Sequence, residues 1–153
     1  MAQWLENVEP LTLKGQIAVP YTWWVGDTGS RFLNAVRHEE KIWGTRCETC
    51  DAVFVPPKKN CGRCFSSLDQ WVEVGTEGMV TAYTIVRFDH PMHPVKGPFA
   101  YALIQLDGAD VGLLHLITED LDKLTNGVRV KARFKEKSQR TGHILDIENF
   151  QII

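Results

Sequence analysis

The composition of this 153-residue chain is that of an ordinary globular protein. Hydrophobic residues make up 44% of it and the net charge is −2, whereas a disordered chain would be less hydrophobic or more highly charged. No apolar run approaches the roughly 20 residues that cross a bilayer, so we expect no membrane association. The first residues lack the basic start and apolar stretch of a signal peptide, and we therefore expect a cytoplasmic protein.

The charge distribution argues against a nucleic-acid-binding protein. Residues 1–70 carry eight Lys and Arg against eight Asp and Glu, and residues 71–153 carry nine against eleven. Nucleic-acid-binding domains usually have a basic excess, since phosphate contacts supply most of their affinity. The basic residues at 129, 131 and 133 alternate with apolar ones, which is typical of the solvated face of a strand. Nucleic acid is therefore an unlikely partner.

The first residues predict an arm. Residues 11–19 lie between two prolines and read as a short strand or an extended segment. Three aromatic residues follow within four positions, and they either cover a neighbouring surface or form a ligand wall or partner contact. These are Tyr21, Trp23 and Trp24.

A helix is predicted to begin near Ser30, because Thr28 or Ser30 can accept bonds from the first free backbone N–H groups. Its apolar face has helical spacing and consists of Phe32, Leu33 and Val36. Gly44 is predicted to break the chain before the first cysteine.

The clearest motif is the cluster C-x2-C-x10-C-x2-C, formed by Cys47, Cys50, Cys61 and Cys64. Each C-x2-C pair can form a knuckle that presents two thiolates to one ion, and two knuckles complete a tetrahedral sulfur site. We predict a positive φ at Gly62, which would let the second knuckle turn. Disulfides suit a secreted protein and a redox dithiol needs only one pair. A structural zinc ion is therefore favoured over these two and over iron.

From residue 71 onward the pattern predicts strands. Five strands with a helical turn between the third and fourth match the order of an OB-fold barrel. The turn is predicted to begin at Asp120 and end at Gly127, and a change of phase between Ile147 and Phe150 predicts a bulge. The fold class is thus mainly β. We divide the chain into an arm and helix at 1–44, a zinc ribbon at 45–70 and an OB-fold at 71–153.

The order of several short segments makes the chain similar to a known family. From about residue 29 to the end, it resembles two-domain proteins that join a rubredoxin-like zinc ribbon to an OB-fold, long catalogued as a domain of unknown function. The segments that carry the resemblance are 29–32, 44–50, 54–57, 61–64, 78–84 and 97–102.

The resemblance implies a non-catalytic role beside acyl-CoA enzymes. Members of this family are scaffolds or acyl-CoA-binding subunits of thiolase-like, hydratase-like or aldolase-like partners. The implied ligands are structural Zn²⁺ and acyl-CoA or CoA. A scaffold should leave an apolar surface open for its partner, and the candidates for that surface are Trp4, Trp23 and Trp24.

A ligand groove is expected between the predicted helix and the long loop that joins the first two barrel strands. The helix would supply an apolar wall with an arginine near a phosphate, and the loop is stiffened by three prolines. The candidate acyl-CoA-binding residues are Arg31, Phe32, Leu33, His90, Pro98 and Phe99.

Two other functions stay open. An OB-fold can bind single-stranded nucleic acid, although the even charge disfavours it here. An independent enzyme is the third hypothesis, but the sequence contains no nucleophile motif or phosphate loop. His90 and His93 are spaced as a metal-ligand pair or an acid and base, and apart from Asp89 no nearby Cys, Asp pair or third histidine completes that site.

Overall fold

The computed structural model of the protein describes residues 11–15 and 18–153, and this part of the chain is mainly β. Trp4 and part of the predicted strand at 11–19 lie outside the described residues. No helix in the described part is long and apolar enough to cross a membrane. The elements in chain order are α1 (Gly26–Glu39), β1 (Ile42–Cys47), β2 (Ala52–Phe54), β3 (Gln70–Val74), β4 (Glu77–Val86), β5 (Phe99–Leu106), β6 (Leu113–Ile117), β7 (Arg129–Phe134) and β8 (Ile147–Ile152).

Helix α1 begins earlier than the sequence predicts. It starts at Gly26, and Val25 precedes it without a side-chain capping bond. The prediction that Thr28 or Ser30 caps the helix is therefore wrong, because both residues already lie inside it. Phe32 and Val36 are buried, as their helical spacing predicts.

The first sheet has the strand order β2-β1-β3, with antiparallel pairing throughout. Gly44 lies inside β1 and does not break the chain. A Cβ atom there would meet the carbonyl oxygen of Phe54 at 2.8 Å and Cγ1 of Val53 at 2.9 Å. The glycine is thus required by a close approach of two strands and not by a turn.

The second sheet has the order β6-β5-β4-β7-β8 and forms the OB-type unit. Its edge strands β6 and β8 lie beside each other, and Asn149 Nδ2 donates to Thr118 Oγ1 at 2.7 Å across this junction. The predicted bulge is confirmed, since Arg133 pairs with Asn149 whereas Phe134 pairs with Ile147. In place of the predicted helical turn, two tight turns lie between β6 and β7. In the first, Lys123 N donates to Asp120 O at 2.9 Å, and in the second, Val128 N donates to Thr125 O at 3.2 Å.

One hydrophobic core runs through the helix and both sheets. Phe32 and Ile42 belong to the same buried cluster as Val53, Ile104 and Phe150. A smaller cluster surrounds the cysteines. The domain boundaries at residues 44 and 70 stay a prediction.

Candidate metal centre, ligand clefts and exposed arm

The four cysteine sulfurs converge on one point. All four lie within 4.8 Å of one another, and none of the cysteines forms a disulfide. Cys47 and Cys64 Sγ are 3.5 Å apart, and Cys50 and Cys61 Sγ are 3.9 Å apart. A tetrahedral Zn²⁺ with bonds of about 2.3 Å needs sulfurs roughly 3.8 Å apart, so the donor set fits this ion. With all four positions filled by sulfur, the ion has a structural role and offers no open site for chemistry.

Both knuckles turn at the residue that follows the second cysteine. Asp51 has a φ of 48° and Phe65 a φ of 62°. The prediction of a positive φ at Gly62 is therefore wrong, because the turn comes three residues later. Phe65 is exposed, so neither burial nor glycine-like freedom accounts for a bulky residue at this position.

Ser66 is a polar neighbour of the metal centre that the sequence analysis missed. Its Oγ lies 3.1 Å from Cys64 Sγ and 3.5 Å from Cys47 Sγ. The Ser66 hydroxyl lowers the pKa of the Cys64 thiol to about 6, which favours the thiolate that binds metal. The hydrogen bond between Cys50 and Cys64 raises the pKa of the Cys50 thiol to about 12. A metal ion that binds Cys50 therefore has to displace the proton of this thiol. In the sequence, a serine two residues after the second C-x2-C pair was the signal that could have indicated this contact.

The candidate acyl-CoA residues fall into separate settings. Phe32 is 3% exposed and Phe99 is 0% exposed, so both pack in the core and offer no wall to a ligand at the surface. Arg31 and His90 line different cavities, of about 330 and 410 Å³. These two residues therefore do not share one cavity, and the ligand contacts stay a prediction. Leu33 packs partly buried against the core, and Pro98 is exposed.

Arg31 has a defined position on the ribbon. Its guanidinium carbon lies 4.2 Å from the ring centroid of Trp71 and 5.9 Å from that of Trp43. A stacked guanidinium keeps its N–H groups free at the rim, where they can bind a carboxylate or phosphate. The neighbouring cavity also includes His38 and Glu39.

The arm before the helix presents a row of aromatic side chains to solvent. Tyr21 is 75%, Trp23 67% and Trp24 72% exposed. The hypothesis that they cover a neighbouring surface of the same chain is therefore wrong, and the partner or ligand contact remains. Trp24 lines an open cavity of about 460 Å³ together with the start of α1 and with Pro57 and Lys59 of the ribbon.

Comparisons with known proteins agree with this architecture. Residues 37–69 match the rubredoxin-like zinc ribbon domain of ChsH2, and residues 71–135 match the ChsH2 C-terminal OB-fold domain. A scaffold protein with a DUF35 domain from Pyrococcus furiosus is 26% identical over 102 residues, which cover 67% of this chain and 74% of that protein.

Two solved structures share the fold. A DUF35-family protein of unknown function from Sulfolobus solfataricus is 30% identical with a TM-score of 0.57, over 71% of this chain and 77% of that one. A structure described as Ltp2-ChsH2(DUF35) aldolase is 22% identical with a TM-score of 0.59, over 84% of this chain and 93% of that one. The chain therefore belongs to the ChsH2-type DUF35 family, whose members join a rubredoxin-like zinc ribbon to an OB-fold.

Proposed function

We propose that this protein is a non-catalytic scaffold subunit of an acyl-CoA-processing enzyme. Two similarities support the proposal. The Pyrococcus furiosus relative is named a scaffold protein, and the second solved neighbour is named an aldolase that contains a DUF35 chain. The candidate partners are therefore aldolase-like, beside the thiolase-like and hydratase-like enzymes that the family resemblance implies.

The observation that carries the proposal is the exposed aromatic arm. Tryptophan and tyrosine are the residues most enriched at the energetic centres of interfaces, because they bury a large area at low entropic cost. Trp23 and Trp24 together leave a large apolar surface in water that the described chain does not cover. A partner that covers this arm would gain affinity without any change in the barrel.

The finer part of the proposal is that acyl-CoA or CoA binds at the surface of the subunit. Arg31 is the best-placed group for a phosphate, because its stacking on Trp71 pre-orients the guanidinium. Phe32 and Phe99 are buried in the core, so the proposal assigns the contact to Arg31 and not to these two rings. The structural zinc would hold the strands that carry Trp43 and Trp71, and it would take no part in a reaction.

The partner is tested by native mass spectrometry of the protein purified gently from its own cells. We expect a complex with an aldolase-like, thiolase-like or hydratase-like enzyme and one zinc per chain. The double variant Trp23→Ser/Trp24→Ser should lose the partner and keep the zinc. Leu114→Ser, at a barrel residue that is 61% exposed, is the matched control and should keep both. A complex that survives the double variant would overturn the role of the arm.

The ligand is tested by isothermal titration of CoA and a short-chain acyl-CoA into the chain and into its complex. We expect Arg31→Gln to weaken binding by roughly tenfold, because one charged contact is lost. Equal affinity in the variant would refute the role of Arg31. Turnover of acyl-CoA by the purified chain alone would instead make it an enzyme, and saturable binding of a single-stranded oligonucleotide would favour the nucleic-acid function.

A further inference from the structure

The loop between β4 and β5, residues 87–98, is braced by its own side chains. Asp89 Oδ1 accepts from the backbone N–H of Gly97 at 2.8 Å, which joins the two ends of the loop. His93 N donates to His90 O at 3.0 Å and forms a tight turn. Together with three prolines, these bonds give the loop a fixed shape around a cleft of about 410 Å³, a volume within the range of small-molecule sites.

His93 lies at the centre of this loop in a row of aromatic rings. Its ring centroid is 5.4 Å from that of Phe88, 5.5 Å from that of His90 and 5.5 Å from that of Phe99. Its Nδ1 atom is buried and has no hydrogen-bond partner among the described residues. An unpaired buried polar atom costs about 1–3 kcal/mol, and a polar group within hydrogen-bond distance of Nδ1 would remove that penalty.

His90 has a defined tautomer. Its Nδ1 accepts from the backbone N–H of Met92 at 3.2 Å, which leaves the ring proton on Nε2. The Nε2–H group is then a donor, and it suits an oxygen atom better than a metal ion, which needs a bare nitrogen. Among the described residues, the cysteines are the one group of three or more His, Cys, Asp and Glu side chains close enough to share a metal ion.

The lining of the cleft contains one cation, the ammonium of Lys96. Asp89 is the acidic group of the lining, and the Gly97 N–H already engages one of its oxygens. The Lys96 ammonium has three N–H donors and can donate to an anion in the cleft.

We propose that this cleft is a binding site for an anionic oxygen group, a carboxylate or a phosphate, held by His90, His93 and Lys96. The Nε2–H of His90 and the ammonium of Lys96 donate to the anion, and the ring of His93 supplies the third polar contact. Pro91, Pro94 and Val95 give the organic part of the ligand an apolar wall. The inference does not depend on the acyl-CoA proposal, although His90 is a candidate residue in both, because its test uses anions that contain no CoA.

The test follows the histidine ring signals of the zinc-loaded full chain by NMR during titration with pyrophosphate and, separately, with succinate. We expect a saturable shift of the His90 and His93 rings with at least one of the two anions. Pyrophosphate alone would identify a phosphate site, and succinate alone would identify a carboxylate site. No saturable shift with either anion, or a response to added Zn²⁺ alone, would overturn the proposal.

Variants separate this site from general charge attraction. His93→Phe keeps the ring packing and removes the two ring nitrogens. His93→Phe and Lys96→Gln should each weaken binding of the anion by roughly tenfold or more. Met92→Ala removes an exposed side chain from the same loop, and Lys137→Gln removes one positive charge outside it. Both controls should bind the anion as the parent does. Equal weakening by Lys137→Gln and Lys96→Gln would refute a built site.

Discussion

Arg140 joins α1 to the segment that directly follows β7. Its substitution should be the most informative test of how these two elements are held together. The side chain is 7% exposed although it is charged. Its Nε donates to Lys135 O at 2.6 Å and its Nη1 donates to Arg37 O at 3.2 Å. Its Nη2 also bonds to Glu40. Arg37 O is a carbonyl of the last helical turn, which has no partner within the helix.

The two carbonyl contacts should dominate the energy. Each hydrogen bond that a charged group donates contributes about 1.5–3 kcal/mol. Glu40 is 54% exposed on its side chain, so water screens its ion pair to below about 1 kcal/mol. We therefore expect Arg140→Ala to lower the free energy of unfolding by about 3 kcal/mol. The matched variant Glu40→Gln should cost about 0.5 kcal/mol.

The assay is thermal unfolding of the zinc-loaded protein, followed by circular dichroism. For a chain of this length, 1 kcal/mol corresponds to about 2–4 °C, so Arg140→Ala should lower Tm by about 6–12 °C and Glu40→Gln by about 2 °C. A drop for Glu40→Gln as large as that for Arg140→Ala would refute the assignment to the carbonyls. The ion pair would then carry the contact.

Three further results are expected. Chelation of zinc, or Cys61→Ser, should abolish metal binding in an inductively coupled plasma assay and lower Tm by more than 10 °C, because a four-cysteine site contributes about 10 kcal/mol or more to folding. Gly78→Ala should destabilise the protein by about 3 kcal/mol in urea unfolding, since the added Cβ would lie 2.4 Å from Gln105 O. The control Gly62→Ala should leave the stability unchanged, because no atom lies within 4 Å of the Cβ position there. Burial lowers the pKa of His115 below 6.5, so the unfolded chain binds its proton first and stability should fall as pH drops from about 6.5 to the folded pKa. His115→Leu should flatten that part of the urea stability profile, and a slope that persists would assign it to another group.

The cysteine cluster and the five strands of the second sheet were predictable from the sequence, because each has a local pattern. Each C-x2-C pair forms its knuckle by local geometry, and alternation of apolar and polar residues along the chain indicates a strand. The start of α1 was missed because no capping side chain marks Gly26. Gly44 was misread for a different reason: a glycine required by an approaching strand has the same local signature as one required by a turn.

The ligand residues were the part that sequence could not resolve. Phe32 lies on an apolar helical face, and such a face indicates burial as well as it indicates a ligand wall. Phe99 follows a loop proline, but it is the first residue of β5 and its side chain enters the core. The contact of Arg140 with Arg37 spans 103 positions and has no local pattern at all.

A buried threonine in β1 holds a neighbouring segment of the ribbon in place. Thr45 is fully buried in β1, and its hydroxyl donates to Lys58 O at 3.0 Å and accepts from Lys58 N at 2.9 Å. These two bonds hold the 57–59 segment, which lines the cavity beside Trp24. The first cysteine knuckle begins at Cys47, the last residue of β1 and two residues beyond Thr45. A shift of β1 would therefore change the shape of the cavity that Trp24 lines with Pro57 and Lys59.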